Sequence, residues 1–216
     1  MPEIQVPTAP PSPHLLALAG VDLETASAPA LRAEPARELG VVLSRSRDPA
    51  RELFLERCAA DCVPVVIRPS GGGAVVLAPG VVAGSLLAAA DPGERFPEPY
   101  FRRFCAAVAA ALRRHGAPEL AMRGVSDLCV GERKVAGSSL RLWRGRVLFQ
   151  VSLLVDPDVA LFGRYLRAPS RAPAYRRGRP HVEFVTTLAS EGCPIPAEEA
   201  AAALRQAFGA LLAGRG

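Results

Sequence analysis

The chain has 216 residues, half of them hydrophobic, with a formal net charge of +5. That length and apolar fraction suffice for one substantial core, so a single α/β or α+β domain is the default. No window approaches the roughly 18 uninterrupted apolar residues of a spanning helix, which argues against a membrane protein. The positive balance suits an acidic macromolecular partner or an anionic small ligand and does not require nucleic acid. Five cysteines (Cys58, Cys62, Cys105, Cys129 and Cys193) form no CxxC pair. Cys58 and Cys62 stand four apart with no histidine near in sequence, a poor zinc spacing. The start lacks a basic region before its short apolar piece, and an odd count of cysteines then fits reduced thiols in a cytoplasmic protein.

In chain order, residues 1–13 are rich in proline and read as a disordered or extended arm. Residues 14–36 mix a short helix with Ala/Pro-rich sequence. Leu39 to Leu43 predicts a strand, and Pro49 predicts the first turn of a helix running through Ala60. Val63 to Val82 (VPVVIRPSGGGAVVLAPGVV) predicts two buried strands joined by a loop of backbone. Gly71, Gly72 and Gly73 can take positive φ, and successive amides there can form an anion nest beside Arg68. The same glycines also suit the tip of a plain hairpin.

Phe101, Phe104, Cys105, Val108 and Leu112 recur at helical spacing between Pro97 and a stop at Gly116. Lys134 to Trp143 and Arg146 to Val155 predict a hairpin turning at Arg144-Gly145. An unbulged register puts Lys134, Ala136, Ser138, Leu140, Val147, Phe149, Val151 and Leu153 on one face. A lysine ending an apolar face should reach an anion or a cavity mouth, unless it is simply an exposed strand end. A short helix over Val159 to Leu166 leads into a segment with six arginines between Arg164 and Arg179. That segment reads equally as a basic loop closing on a nucleotide or acidic partner and as a solvated loop. Pro196 opens a last helix with Leu204, Phe208, Leu211 and Leu212 as its apolar stripe.

Four stretches carry a family resemblance: RPSGGGAVV from Arg68, SDLCVGERKVAGSSLR from Ser126, LFQVSLLVD from Leu148 and PAYRRGRPHVEF from Pro173. In order and spacing over residues 39–190 they resemble the biotin/lipoate protein ligase catalytic-domain family, on its lipoate side. The resemblance implies an α+β fold, a mixed but mainly antiparallel sheet with helices packed on it, in a single domain over residues 14–216 without a C-terminal accessory domain. It implies activation of lipoate or octanoate with ATP and Mg2+ as an acyl-adenylate, then transfer to a lysine of a lipoyl carrier. Such carriers are of the 2-oxoacid dehydrogenase E2 or glycine-cleavage H-protein type, and a separate accessory subunit is a further candidate partner.

By position, Lys134 matches the family's central catalytic lysine, where a cation suits charge building on carbonyl and phosphate. Arg68, Ser70, Gly71, Gly72, Gly73 and Ala74 match the loop that contacts the acyl-adenylate. Asp127 matches an acidic position near the nucleotide and its magnesium. Gly137 would admit a ligand close to the strand, and Ser138 matches a small polar position. Ile67 stands where a second arginine is usual, and Gln150, Val151 and Ser152 stand where the family often reads HGT. Two alternatives stay open. One is an octanoyl or lipoyl transferase using a cysteine thioester, for which Cys129 is the candidate nucleophile with Lys134 favouring its thiolate. The other is a catalytically silent relative that binds an acyl-adenylate or the carrier.

Overall fold

The structure, a computed structural model, describes residues 9–214, so most of the expected proline-rich arm lies outside the described residues. The first helix begins within that arm's expected bounds. Ser12 accepts a hydrogen bond from the Leu15 amide, and Pro13 stands at the first turn, where its fixed φ is favourable, giving α1 (Pro13–Leu18). The strand β1 (Ala30–Pro35) follows in the Ala/Pro-rich sequence where only a helix was expected.

Next come β2 (Gly40–Ser44), α2 (Pro49–Glu52) and α3 (Leu55–Ala60). The expected single helix from Pro49 to Ala60 is thus broken. Leu53 is extended at φ −124 and ψ 150, fully buried, and bridges Leu166. The Phe54 amide donates to the Tyr165 carbonyl at 2.9 Å, so pairing to a distant segment outcompetes one more helical turn.

The glycine stretch is not a hairpin. β3 (Val65–Arg68) and β4 (Ala74–Leu77) both pair with β2, β3 in parallel and β4 antiparallel, and never with each other. Val81 and Val82 already belong to β5 (Val81–Ala89) in a second, larger sheet. After α4 (Pro97–Arg113) come β6 (Ala121–Arg123), β7 (Asp127–Val130), β8 (Arg133–Trp143) and β9 (Arg146–Leu154). The larger sheet is antiparallel throughout, in the order β1-β5-β9-β8-β7-β6. The chain closes with α5 (Ala160–Tyr165), α6 (His181–Phe184) and α7 (Ala197–Ala213).

The helices α4 and α7 cover one face of the larger sheet. Phe149 of β9 meets Phe104 at 5.1 Å and Phe208 at 6.2 Å between ring centroids, both edge-on. A second core lies between the two sheets, where Val41, Val66 and Val76 of the small sheet pack with Ala83 and Leu154 of the large one. The functional cleft opens between the sheets on this side. Among the described residues no helix is long and apolar enough to cross a membrane.

The β8–β9 hairpin has its expected register at the turn, with Trp143 opposite Arg146, but Lys134 does not lie on the expected face. Leu128 pairs with Ala136 while Cys129 pairs with Lys134, so Val135 is an extra residue on β8. One inserted residue reverses the alternation of side chains. Lys134 therefore leaves the core-facing row of Ala136, Leu140 and Phe149 and joins the cleft face of Gly137 and Ser139.

Candidate functional site

The Arg68 side chain organises the glycine loop from within. Its guanidinium donates to the Ser70 hydroxyl at 3.0 Å, to the Gly71 carbonyl at 2.7 Å and to the Gly73 carbonyl at 3.0 Å. It is 7% exposed and has no carboxylate within ion-pair distance among the described residues; burial pulls its pKa down to about 10. An arginine buried beside a cleft without a counter-ion is a site prepared for an anion. Of the three consecutive glycines only Gly72 has positive φ, at 93°, and a Cβ there would stand 2.8 Å from the Arg68 Nη2. Of the positive φ open to all three glycines the loop uses one, in a tight turn braced by an arginine. Ala74 begins β4 and lines the cleft.

Ser70 is buried and ties this loop to the large sheet. Its hydroxyl lies 2.9 Å from that of Ser139 and donates to Gln150 Oε1. Gln150 in turn donates to the Ala19 carbonyl at the end of α1, at 3.0 Å, and to the Ser85 hydroxyl of β5, at 3.2 Å. One amide side chain therefore joins the glycine loop, α1, β5 and β9.

Across the cleft, the Lys134 ammonium donates to Asp127 Oδ1 at 2.7 Å, and the Tyr175 hydroxyl donates to Asp127 Oδ2 at 2.8 Å. The lysine crosses directly over Gly137, where an added Cβ would stand 2.7 Å from Nζ. The close approach that Gly137 permits is thus made by the chain's own lysine. Gly137→Ala should keep the fold and lower turnover by roughly 10- to 100-fold, because the methyl displaces the ammonium from its place. A steady-state assay beside a circular-dichroism melt checks both halves of that expectation.

The Ser138 hydroxyl turns the other way, donating to the Ser126 carbonyl at 2.9 Å and facing Cys105 of α4. Cys129 is fully buried, and its thiol lies 3.4 Å from the Tyr175 hydroxyl. Burial, the largest influence, raises its pKa, and the lowering effect of Lys134 is smaller. The thiolate that a nucleophile needs is disfavoured there.

The cleft encloses about 520 Å3 and is amphipathic. Arg47, Arg68, Lys134, Arg171 and Arg176 line it against the single carboxylate of Asp127, an arrangement that attracts anions. Leu18, Val42, Leu77, Leu154 and Phe162 give it an apolar floor. Among the described residues no cluster of three or more His, Cys, Asp or Glu could hold a metal by itself. Both Asp127 oxygens are engaged, one by Lys134 and the other by Tyr175, so the residue would meet a magnesium ion only by sharing one of them, with the remaining ligands from phosphates and water.

The basic segment beyond α5 is docked, not loose. Arg176 is buried with its guanidinium 4.7 Å from the Phe184 ring centroid, and Arg177 pairs with Glu132 at 3.1 Å. His181 lines the same cleft, and burial first, then Arg176 and Lys134, lower its pKa to about 4. Its imidazole is therefore neutral at neutral pH. NMR of the imidazole should show a midpoint near 4. Between that value and the ordinary histidine range the unfolded chain binds more protons, so His181 lowers stability progressively as the pH falls through that window. Gln150, Ser139, Tyr175, His181 and Arg176 were not among the sequence-derived site residues. Of these, Gln150 had a signal in the departure from HGT, and Ser139, Tyr175, Arg176 and His181 lay in matched stretches, Ser139 at a small polar position.

Residues 34–209 match the family described as "Lipoyl protein ligase A/B catalytic domain". The chain belongs to the lipoyl protein ligase A/B catalytic domain family. It is 32% identical over 116 residues to a lipoate–protein ligase of Streptococcus pyogenes, a match spanning 54% of this chain and 33% of that protein. A second relative, lipoate–protein ligase 2 of Staphylococcus aureus, is 28% identical over 64% of this chain and 39% of its own length. The chain thus spans little more than a third of the length of these curated relatives. Among solved structures, a lipoate-protein ligase A bound with ATP superimposes with a TM-score of 0.75 at 22% identity, covering 92% of this chain and 80% of that one. A bi-partite lipoate protein ligase of Thermoplasma acidophilum, described with its E2 lipoyl domain, gives 0.77 at 21% identity over 95% and 81%. The α+β fold of this family, with its mainly antiparallel sheet, is the fold seen here.

Proposed function

We propose that this catalytic domain activates lipoate or octanoate with ATP and transfers the acyl group to a lysine of a lipoyl carrier domain. The observation that carries the reading is the amphipathic cleft, with five cations and one carboxylate above an apolar floor. An acyl-adenylate has this distribution, a hydrocarbon chain ending in a mixed anhydride and a nucleotide. In the first step a carboxylate oxygen of the acid bonds to the α-phosphorus and pyrophosphate leaves. In the second the carrier amine attacks the acyl carbon, AMP leaves, and the nitrogen loses a proton to give the amide. Both steps gather negative charge at phosphate and carbonyl oxygens, where Lys134 and the buried Arg68 stabilise it without reorganising. The loop from Ser70 to Ala74 positions the adenylate, and Asp127 fixes Lys134. A magnesium ion bound with the nucleotide would find its one protein carboxylate in Asp127, sharing an oxygen with Lys134 or Tyr175, and would supply further charge neutralisation.

Burial of Cys129 favours the ligase over a cysteine thioester transferase. The carrier is of the 2-oxoacid dehydrogenase E2 or glycine-cleavage H-protein type in this reading. A separate accessory subunit can complete the enzyme, the kind of arrangement named for the bi-partite Thermoplasma acidophilum ligase. The test is lipoate- or octanoate-dependent release of pyrophosphate from ATP. Release that requires the acid supports the reading; no release, with acyl transfer from an octanoyl carrier instead, overturns it.

A further inference from the structure

The segment between α5 and α6 brings Arg171 and Arg176 to the cleft wall. Several of its tethers stop short of Asp127 and Lys134. Arg179 donates to the Glu132 and Tyr175 carbonyls, each at 3.0 Å, Arg177 pairs with the Glu132 carboxylate at 3.1 Å, and Arg47 donates to the Ser170 hydroxyl at 3.1 Å. One more reaches the chemistry. The Tyr175 hydroxyl donates to one oxygen of Asp127 while Lys134 holds the other. The Tyr175 ring is itself fixed against Phe184, with centroids 5.2 Å apart, and its hydroxyl also meets the Cys129 thiol. A single carboxylate thus joins the basic segment to the central lysine.

We propose that Tyr175 is a positioning residue: through Asp127 it holds Lys134 in place and, by the same bond, latches the basic segment over the cleft. The part concerning Lys134 rests on the proposed ligase reading; the latch does not. Without the phenol hydroxyl, Asp127 can rotate about its side-chain torsions, and the segment loses its one tether to β7. A hydrogen bond to a charged acceptor is strong enough for its loss to lower turnover by roughly tenfold or more.

The experiment compares Tyr175→Phe and Arg179→Met with wild type in the full chain. Trypsin cleavage after Arg171, Arg176 and Arg177 is followed by mass spectrometry, beside kcat and KM for adenylate formation. Tyr175→Phe should be cut several-fold faster, with kcat reduced and KM for the acid unchanged. Arg179→Met loosens the segment without touching Asp127, so it should be cut faster at near wild-type kcat. Wild-type cleavage kinetics in Tyr175→Phe overturn the latch. Faster cleavage with unchanged kcat overturns the coupling to Lys134, as does an equal fall in kcat in both variants. If wild type forms no adenylate, the ligase reading fails while the cleavage rates still decide the latch.

Discussion

Lys134→Ala should lower adenylate formation by about 100- to 1,000-fold while the protein stays folded, the scale seen when one preorganised charge-stabilising group is removed. The lysine is three-quarters buried, held at 2.7 Å by Asp127, and routed over a residue without a side chain. None of that preorganisation survives truncation, and no other lysine lines the cleft to replace it. Stability should change far less than activity. The side chain contributes little to the main core, and the Asp127 carboxylate left behind keeps the Tyr175 donor and some solvent access. Pyrophosphate release beside a thermal melt separates the two effects. A well-folded variant with normal release would remove Lys134 from the mechanism.

Gln150→Leu should act in the opposite proportion, reducing stability first and activity through it. The amide is 7% exposed and serves three partners: the Ala19 carbonyl, the Ser85 hydroxyl and the Ser70 hydroxyl. A leucine of similar size leaves these buried groups short of partners at about 1–3 kcal/mol each, and Ser70 keeps Ser139 and Arg68. A total of about 3 kcal/mol lowers the melting temperature by roughly 6–12 °C in a domain of this size. The glycine loop then loses its link to α1 and β5, so KM for the acid should rise. Gln150→His, the residue that the family resemblance suggests for this position, should recover only part of the stability. An imidazole offers two ring nitrogens where the present site uses two N–H donors and one acceptor. A melting temperature for Gln150→Leu equal to wild type would show that the four-element junction is not stabilising.

The long periodic elements were legible in the residues. The stripe from Phe101 to Leu112, the last helix after Pro196 and the turn at Arg144-Gly145 each carry a strong local period or turn signal. The small sheet was not. Val65–Arg68 and Ala74–Leu77 are short apolar runs, and nothing in such a run names its partner, so β2 entering between them could not be foreseen. The helix proposed from Pro49 to Ala60 failed for a similar reason, since the Leu53 bridge depends on a residue more than a hundred positions away. Lys134 was legible as a candidate, but its face was not, because one inserted residue, Val135, leaves no mark on composition or alternation. Tyr175 lay in a matched stretch, but nothing in the sequence tied it to Asp127. Its importance comes from an Asp127 oxygen that only the folded chain places beside it.

The most direct test of the account is the mass of a purified lipoyl domain after incubation with this protein, lipoate, ATP and magnesium. The parallel reaction supplies an octanoyl carrier without ATP. The ligase reading predicts a gain of one lipoyl group on the domain only when ATP is present, and none with Lys134→Ala. A gain from the octanoyl carrier alone, or no ATP-dependent gain at all, would contradict it.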